Sequence, residues 1–258
     1  MPGLMLAIMY TLYIGIRCKI QPHLGPAVSK DERFSVQEKL RAVFSIWPFL
    51  LLIFIVLGVI WLGVATPSEA AAFGAAGAMF INFVYRKLTW KVVKDSLKMT
   101  VNLTGMGLWI LIGANFFVNV FSALGGQGVI TSAVTSMPGG KWGVLIMMML
   151  IILILGMIMD DWAIIMMTTP LFVPILNEVG ISTLWYGILL IVNIQIAYLT
   201  PPFGFVLFWI KSILPKDVHM GVVYRAVFPF ILIQVFALTL LIFFPSLATW
   251  LPTTMLGR

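Results

Sequence analysis

The chain reads as an all-α polytopic membrane protein, and three observations lead there. Hydrophobic residues make up 61% of its 258 residues and charged ones only 10%. Several apolar runs approach or exceed the ~20 residues that a helix needs to cross a bilayer. Lys and Arg are gathered in three connections that alternate with nearly uncharged ones, the pattern of the positive-inside rule. Six of the sixteen fall in residues 17–41 (Arg17, Lys19, Lys30, Arg33, Lys39, Arg41) and five in 86–98 (Arg86, Lys87, Lys91, Lys94, Lys98). Three more lie in 211–225 (Lys211, Lys216, Arg225). These connections face the cytoplasm on that rule. The net charge of +7 therefore reflects topology and is not the footprint of a nucleic-acid partner.

The elements follow in order. A first span covers about 2–18, opening on Met1-Pro2-Gly3 without the basic start and small-residue cleavage site of a removable signal peptide. Residues 19–44 form a cytoplasmic connection whose end, Val36–Phe44, has the pattern of an amphipathic interfacial helix. A membrane domain over 45–258 follows. Its first span, about 45–64, climbs outward and turns at Thr66-Pro67-Ser68-Glu69. Thr66 and Glu69 make a helix cap there, a capping box with proline at the first helical position. The returning span, about 67–85, is crowded with Ala and Gly, which predicts close packing at the protein interior. A basic amphipathic segment over 88–98 is expected to lie along the interface before a span at about 101–121. That span carries Asn102, Thr104, Gly105, Gly107, Gly113 and Asn115, too polar a set for lipid.

Residues 141–178 are the first stretch with chemistry in it. The apolar run from Trp142 to Met159 meets Asp160-Asp161 and resumes from Trp162, with Pro170 and Pro174 expected to break the return arm. About 15 residues of that arm reach only ~22 Å as helix, short of the ~30 Å hydrocarbon core. The tip has no Lys or Arg, so a re-entrant hairpin entering and leaving on the outer side fits better than two full spans. Two adjacent carboxylates at membrane depth are costly and read as functional. One of them could cap the return arm, but one cap explains one aspartate.

The second such stretch is a broken helix over about 183–213. Pro201 and Pro202 lack the amide hydrogens that would bond the carbonyls of Ala197 and Tyr198, and Gly204 relaxes the turn that follows. Freed carbonyls and the Thr200 hydroxyl then form a small cage of oxygen dipoles, the kind of site in which secondary transporters hold a coupling cation. The plainer alternative is a proline kink. A last span is expected over about 225–250.

Other chemistry is thin. Cys18 is alone, so no internal disulfide forms. The sixteen methionines read as flexible packing residues rather than metal ligands. His23 and His219 fall in polar connections. Catalysis by an intramembrane aspartyl dyad needs carboxylates converging from separate helices, whereas adjacent Asp160 and Asp161 diverge. No other nucleophile and base constellation, nucleotide loop or metal spacing appears, and the chain is not read as an enzyme.

Three ordered motifs carry a family resemblance. Thr66-Pro67-Ser68-Glu69-Ala70-Ala71-Ala72-Phe73-Gly74, then Gly156-Met157-Ile158-Met159-Asp160, then Leu199-Thr200-Pro201-Pro202-Phe203-Gly204 resemble the large membrane subunit of tripartite ATP-independent periplasmic (TRAP) transporters. The form around Pro201-Pro202-Phe203-Gly204-Phe205 is similar to the branch assigned to mannitol/chloroaromatic and 2-oxo-acid or lactate substrates. The resemblance implies sodium-driven symport of a small organic acid across the bacterial inner membrane by an elevator mechanism. It implies two partners, a small four-helix membrane subunit and a periplasmic substrate-binding protein, with Na+ as coupling ion and no other cofactor. The whole chain would be the second inverted repeat, with one re-entrant hairpin and one broken helix.

On that resemblance the cation site is expected at Gly156, Asp160, Asp161, Ala197, Tyr198 and Thr200, and substrate contacts at Asn193, Gln195 and Trp162. The resemblance also implies that the first repeat is absent from this sequence. The chain is then a C-terminal fragment, a sequence with a wrongly assigned start, or half of a split permease partnered by a separate N-terminal half. A non-transporting scaffold is the competing function.

The topology is directly testable. Cysteines introduced as Ala27→Cys or Val92→Cys label only from the cytoplasm on this path, and Gly126→Cys labels from outside. External labelling of Val92→Cys contradicts it.

Overall fold

The computed structural model describes residues 1–25, 35–126, 128–129, 132, 138–202, 204–215 and 218–256. The basic stretch with Lys30 and Arg33, Phe203 of the broken segment, and Lys216 lie outside the described residues. Ten α-helices are described, and no strand: α1 (Pro2–Ile20), α2 (Val36–Trp61), α3 (Pro67–Val84), α4 (Trp90–Ala123), α5 (Lys141–Gly156), α6 (Asp161–Glu178), α7 (Thr183–Leu199), α8 (Phe205–Ile213), α9 (Met220–Phe243) and α10 (Pro245–Leu256). Helices α1, α4 and α9 are long and apolar enough to cross a membrane, and α2 joins them if its two bent segments count as one span. The chain is a multi-pass membrane protein.

It divides into two compact units, residues 21–103 and residues 1–20 with 104–258. In the first, α2 packs on α3. Ser35 and Glu38 form a capping box at the start of α2. The Ser35 amide, then its hydroxyl, hold the Glu38 carboxyl below its ordinary range. The two segments of α2, Gln37–Phe44 and Ile46–Trp61, are bent by 47°. Pro48 lies one turn beyond Phe44 and cannot donate to its carbonyl, which is sufficient cause for the bend. At α3, the Thr66 amide and hydroxyl both donate to Glu69 Oε2, at 2.7 and 2.8 Å. A Cβ at Gly77 would run into the Leu52 side chain, and one at Gly74 would sit 3.3 Å from Val56. This is where small residues admit α2. The rest of the Ala face differs from expectation. Only Ala70 is buried, while Ala71, Ala72, Ala75 and Ala76 are exposed; among the described residues of its unit, the helix that α3 packs on is α2.

Three further expectations are corrected. Residues 88–98 and 101–121 are not two segments but one 34-residue helix, α4. No Pro or Gly stands between Trp90 and Thr104 to interrupt it. The return arm α6 runs unbroken through Pro170 and Pro174. Burial of Phe172 and Leu176 holds it straight enough that losing two backbone bonds does not end the helix. The last span stops at Phe243, and Pro245 opens the separate helix α10, since a residue before proline disfavours helical geometry.

The larger unit is organised around α7, which packs on α5, α6, α8, α9 and α10. Nine of its seventeen residues are buried, from Trp185 to Ala197, and one narrow stripe, Leu184, Ile191 and Gln195, is left exposed. Trp185 Nε1 donates to the Leu241 carbonyl at 2.9 Å, tying α7 to α9. Helix α5 buries Val144, Leu145, Met148, Met149 and Ile152 against this core. Tyr10 and Tyr13 of α1 each set an edge against Phe230 of α9, at 5.3 Å between ring centres.

Candidate functional site

The site forms where two helices stop. Helix α5 ends at Gly156, and the Ile158 and Met159 amides turn back on the Leu155 carbonyl at 2.9 and 2.8 Å. That tight turn brings the chain to Asp160 in extended conformation. Asp160 Oδ1 accepts the Ala163 amide at 3.0 Å, so this aspartate is the N-cap of α6. Asp161 is the first helical residue and is not needed for the cap.

Helix α7 stops at Leu199 because prolines follow. Thr200 is pushed to φ −93, ψ 132, as a residue before proline must be. Its amide donates to the Ala197 carbonyl at 3.0 Å and its hydroxyl to the Ile196 carbonyl at 2.7 Å. The Ala197 carbonyl, expected to be free, is thus half engaged, with one lone pair left. The Thr200 hydroxyl donates its only proton and keeps its lone pairs for another partner. The Pro201–Pro202 peptide is cis, and Gly204 takes a left-handed φ of 52 before α8 begins. From near the start of α9, the Tyr224 hydroxyl donates to the Pro202 carbonyl at 3.0 Å.

These two helix ends touch. A Cβ on Gly156 would lie 2.6 Å from the Ala197 Cβ, so glycine is what allows the hairpin tip onto α7. Next to this contact, the Tyr198 phenol hydrogen-bonds with the backbone and the side chain of Asp161. The meeting level follows from length. The 16 residues of α5 and the 17 of α7 climb about 24 and 26 Å from neighbouring starts. The tip therefore stops at the break, and α8 continues for nine residues beyond it, about 13 Å.

Of the six residues expected to hold a cation, the structure thus brings Gly156 to Ala197 and Asp161 to Tyr198. Thr200 follows directly, and Asp160 turns an oxygen into its own helix. The carbonyl-bearing ends of α5 and α7 bring negative poles beside Asp161, while the amide-bearing start of α6 on the same turn offsets part of them. Among the described residues no three His, Cys, Asp or Glu side chains converge. Any ion here would be held mainly by carbonyl and hydroxyl oxygens, which suits a hard cation.

The three residues expected to contact substrate do not gather. Asn193 is buried and donates from Nδ2 to the Met149 carbonyl of α5 at 2.7 Å, which is a structural tie between hairpin and broken helix. Gln195, two residues on and so on another face of the helix, is exposed. Trp162 lies against α4, where a Cβ on Gly107 would be 2.8 Å from its ring, yet 51% of it remains exposed. Sequence reasoning missed the Asn193, Tyr198 and Tyr224 side-chain bonds. The signal for the first was a lone amide in a run of apolar residues, which must find a partner in hydrocarbon.

The model of a family described as the tripartite ATP-independent periplasmic transporter, DctM component, matches residues 1–247. The chain belongs to this family. It is 33% identical over 258 residues to the C4-dicarboxylate TRAP transporter large permease protein DctM of Pseudomonas aeruginosa, covering 97% of this chain and 57% of that one. It is 30% identical over 252 residues to the ectoine TRAP transporter large permease protein TeaC of Halomonas elongata, covering 97% and 57%. To the sialic acid TRAP transporter large permease protein SiaM of Vibrio cholerae it is 28% identical over 258 residues, covering 99% and 58%. The chain thus spans a little over half the length of these TRAP permeases. The family is one of transporter subunits, not enzymes.

The contact between tip and break can be tested by a compensating pair. Gly156→Ala forces two Cβ atoms together and should cost about 1–3 kcal/mol as overpacking, read as a lower midpoint of thermal unfolding in mild detergent. Ala197→Gly in the same chain removes the opposing Cβ and should recover most of the loss. A double variant no more stable than Gly156→Ala alone would show that the two helix ends do not meet.

Proposed function

We propose that the chain takes part in sodium-coupled uptake of a small organic acid across the bacterial inner membrane, as a TRAP large permease subunit. It would work with a small four-helix membrane subunit and a periplasmic substrate-binding protein. The observation that carries this reading is the seating of the hairpin tip on the break, Gly156 on Ala197 and Asp161 on Tyr198. Two helix C-termini, the Asp161 carboxylate with lone pairs left beside its bond to Tyr198, and the Thr200 hydroxyl share that place. A cation bound there neutralises the pole of each helix, so it holds the tip closed on the break. Its departure frees the hairpin to open, and this is how ion binding is coupled to access in broken-helix transporters.

The length relation supports a re-entrant hairpin. Helices α7 and α8 together are long enough to cross the ~30 Å core, while α5 and α6 turn back at the level of the break. In the elevator reading, hairpin and broken helix move as one body of the second inverted repeat. The named substrates of the relatives differ, being C4-dicarboxylate, ectoine and sialic acid, so the substrate is assigned only as an organic acid. The competing reading is a scaffold subunit that does not transport.

In proteoliposomes containing the chain with its membrane partners, Asp161→Asn or Thr200→Val should raise the Na+ concentration for half-maximal uptake about tenfold. That shift equals the loss of one charge-assisted or ion-oxygen contact, about 1.4 kcal/mol. Membrane insertion should stay the same. Unchanged sodium dependence in both variants removes the shared site. Absence of uptake by the unaltered chain in the same vesicles favours the scaffold.

A further inference from the structure

Lys141 stands apart from every other cation in the chain. Fourteen of the sixteen Lys and Arg residues lie in the three basic connections, Arg258 is the last residue, and Lys141 alone falls between Lys98 and Lys211. Segregation of basic residues to the cytoplasmic side does not account for it, so it needs a local reason.

The structure supplies a place for one. Lys141 begins the hairpin, and its ammonium lies 5.5 Å from the ring centre of Trp142, within cation–π reach. Trp142 in turn meets Trp185 edge to face at 6.2 Å and 88°. The Trp185 ring cannot swing away, since its Nε1 is bonded to Leu241. Beside this stack is a cavity of about 210 Å³ bordered by Lys141, Trp142, Gly180, Ser182, Trp185 and Pro245. Its residues come from both ends of the hairpin and from the starts of α7 and α10. Among the described residues of the lining, Lys141 is the only ionisable group. The cavity therefore has a positive charge, a Ser182 hydroxyl and two aromatic walls.

From this we infer that the cavity is a binding site for the phosphodiester headgroup of a phospholipid, clamped at the base of the hairpin. Tryptophans whose rings are partly apolar and partly polar settle at headgroup level. A lysine whose stem lies along such rings carries its charge to that level, where the phosphate of a lipid is the abundant anion. A lipid is favoured over a free anion because the exposed Trp142 indole, backed by the buried Trp185, offers apolar wall to its glycerol and upper acyl chain, which inorganic phosphate cannot use. A lipid seated there touches both hairpin arms where they leave the membrane, so it braces the hinge of the element whose far end meets the break. The inference concerns binding at the base and does not depend on what the tip carries.

The test is lipid retention by the intact chain. The chain is purified in mild detergent, stripped of lipid, titrated with phosphatidylglycerol and read by native mass spectrometry. The unaltered chain should hold one lipid more tightly than Lys141→Ala by about fivefold, the equivalent of about 1 kcal/mol for one lysine at an anionic surface. Lys141→Arg should restore the affinity, and thermal unfolding of the lipid-free forms should be the same. Equal affinity in the unaltered chain and Lys141→Ala overturns the site. Displacement of the lipid by inorganic phosphate, or loss of binding in Lys141→Arg, also overturns it, the first in favour of a free-anion site and the second because charge alone should suffice.

Discussion

In hydrocarbon, a backbone carbonyl that loses its helical partner has no water to turn to, and the larger unit depends on how the loss at Pro201 and Pro202 is met. Thr200 takes up part of it by bonding Ala197 through its amide and Ile196 through its hydroxyl. Tyr224 takes the Pro202 carbonyl from α9. What remains is a polar surface on the end of α7, and a second helix end arrives to meet it. The approach is possible only because residue 156 has no side chain. A glycine at the end of a run as apolar as α5 costs conformational entropy, and at this position it is repaid by contact.

Helix α7 makes that meeting rigid. Its buried residues face the hairpin, α9 and α10, and two polar anchors fix it lengthwise, Asn193 to α5 and Trp185 to α9. Each anchor places a donor on a carbonyl of another helix, an arrangement that resists sliding more than apolar packing does, since packing alone tolerates a shift between similar side chains. The tip and the break thus stand at one height because the hairpin and the broken helix start near each other, have nearly equal length and are pinned midway.

What the sequence revealed was its punctuation. Proline, glycine and capping residues act through the local backbone, so the break after Leu199, the cap at Thr66 and a cap at the aspartate pair could all be read in advance. Pairings could not. Helices α5 and α7 are apolar on all sides, and hydropathy then says nothing about which face meets which neighbour. Gly156 was visible as a glycine, but its contact with Ala197 joins residues far apart in the chain. The Asn193 amide is likewise a polar group whose partner, the Met149 carbonyl, leaves no trace in sequence. Local rules also overreached. Pro170 and Pro174 break an isolated helix, yet buried neighbours keep α6 whole. The basic segment at 88–98 suggested a separate interfacial piece, yet nothing in it stops a helix, and α4 runs through.

The central claim is that tip and break close on a single cation. Hydrogen exchange followed by mass spectrometry tests it on the unaltered chain, comparing Na+ with K+ at equal ionic strength. The account predicts slower amide exchange in sodium for the peptides holding Gly156–Asp161 and Ala197–Gly204 together, over the same range of concentration. Protection of one peptide without the other, or of neither, would contradict it.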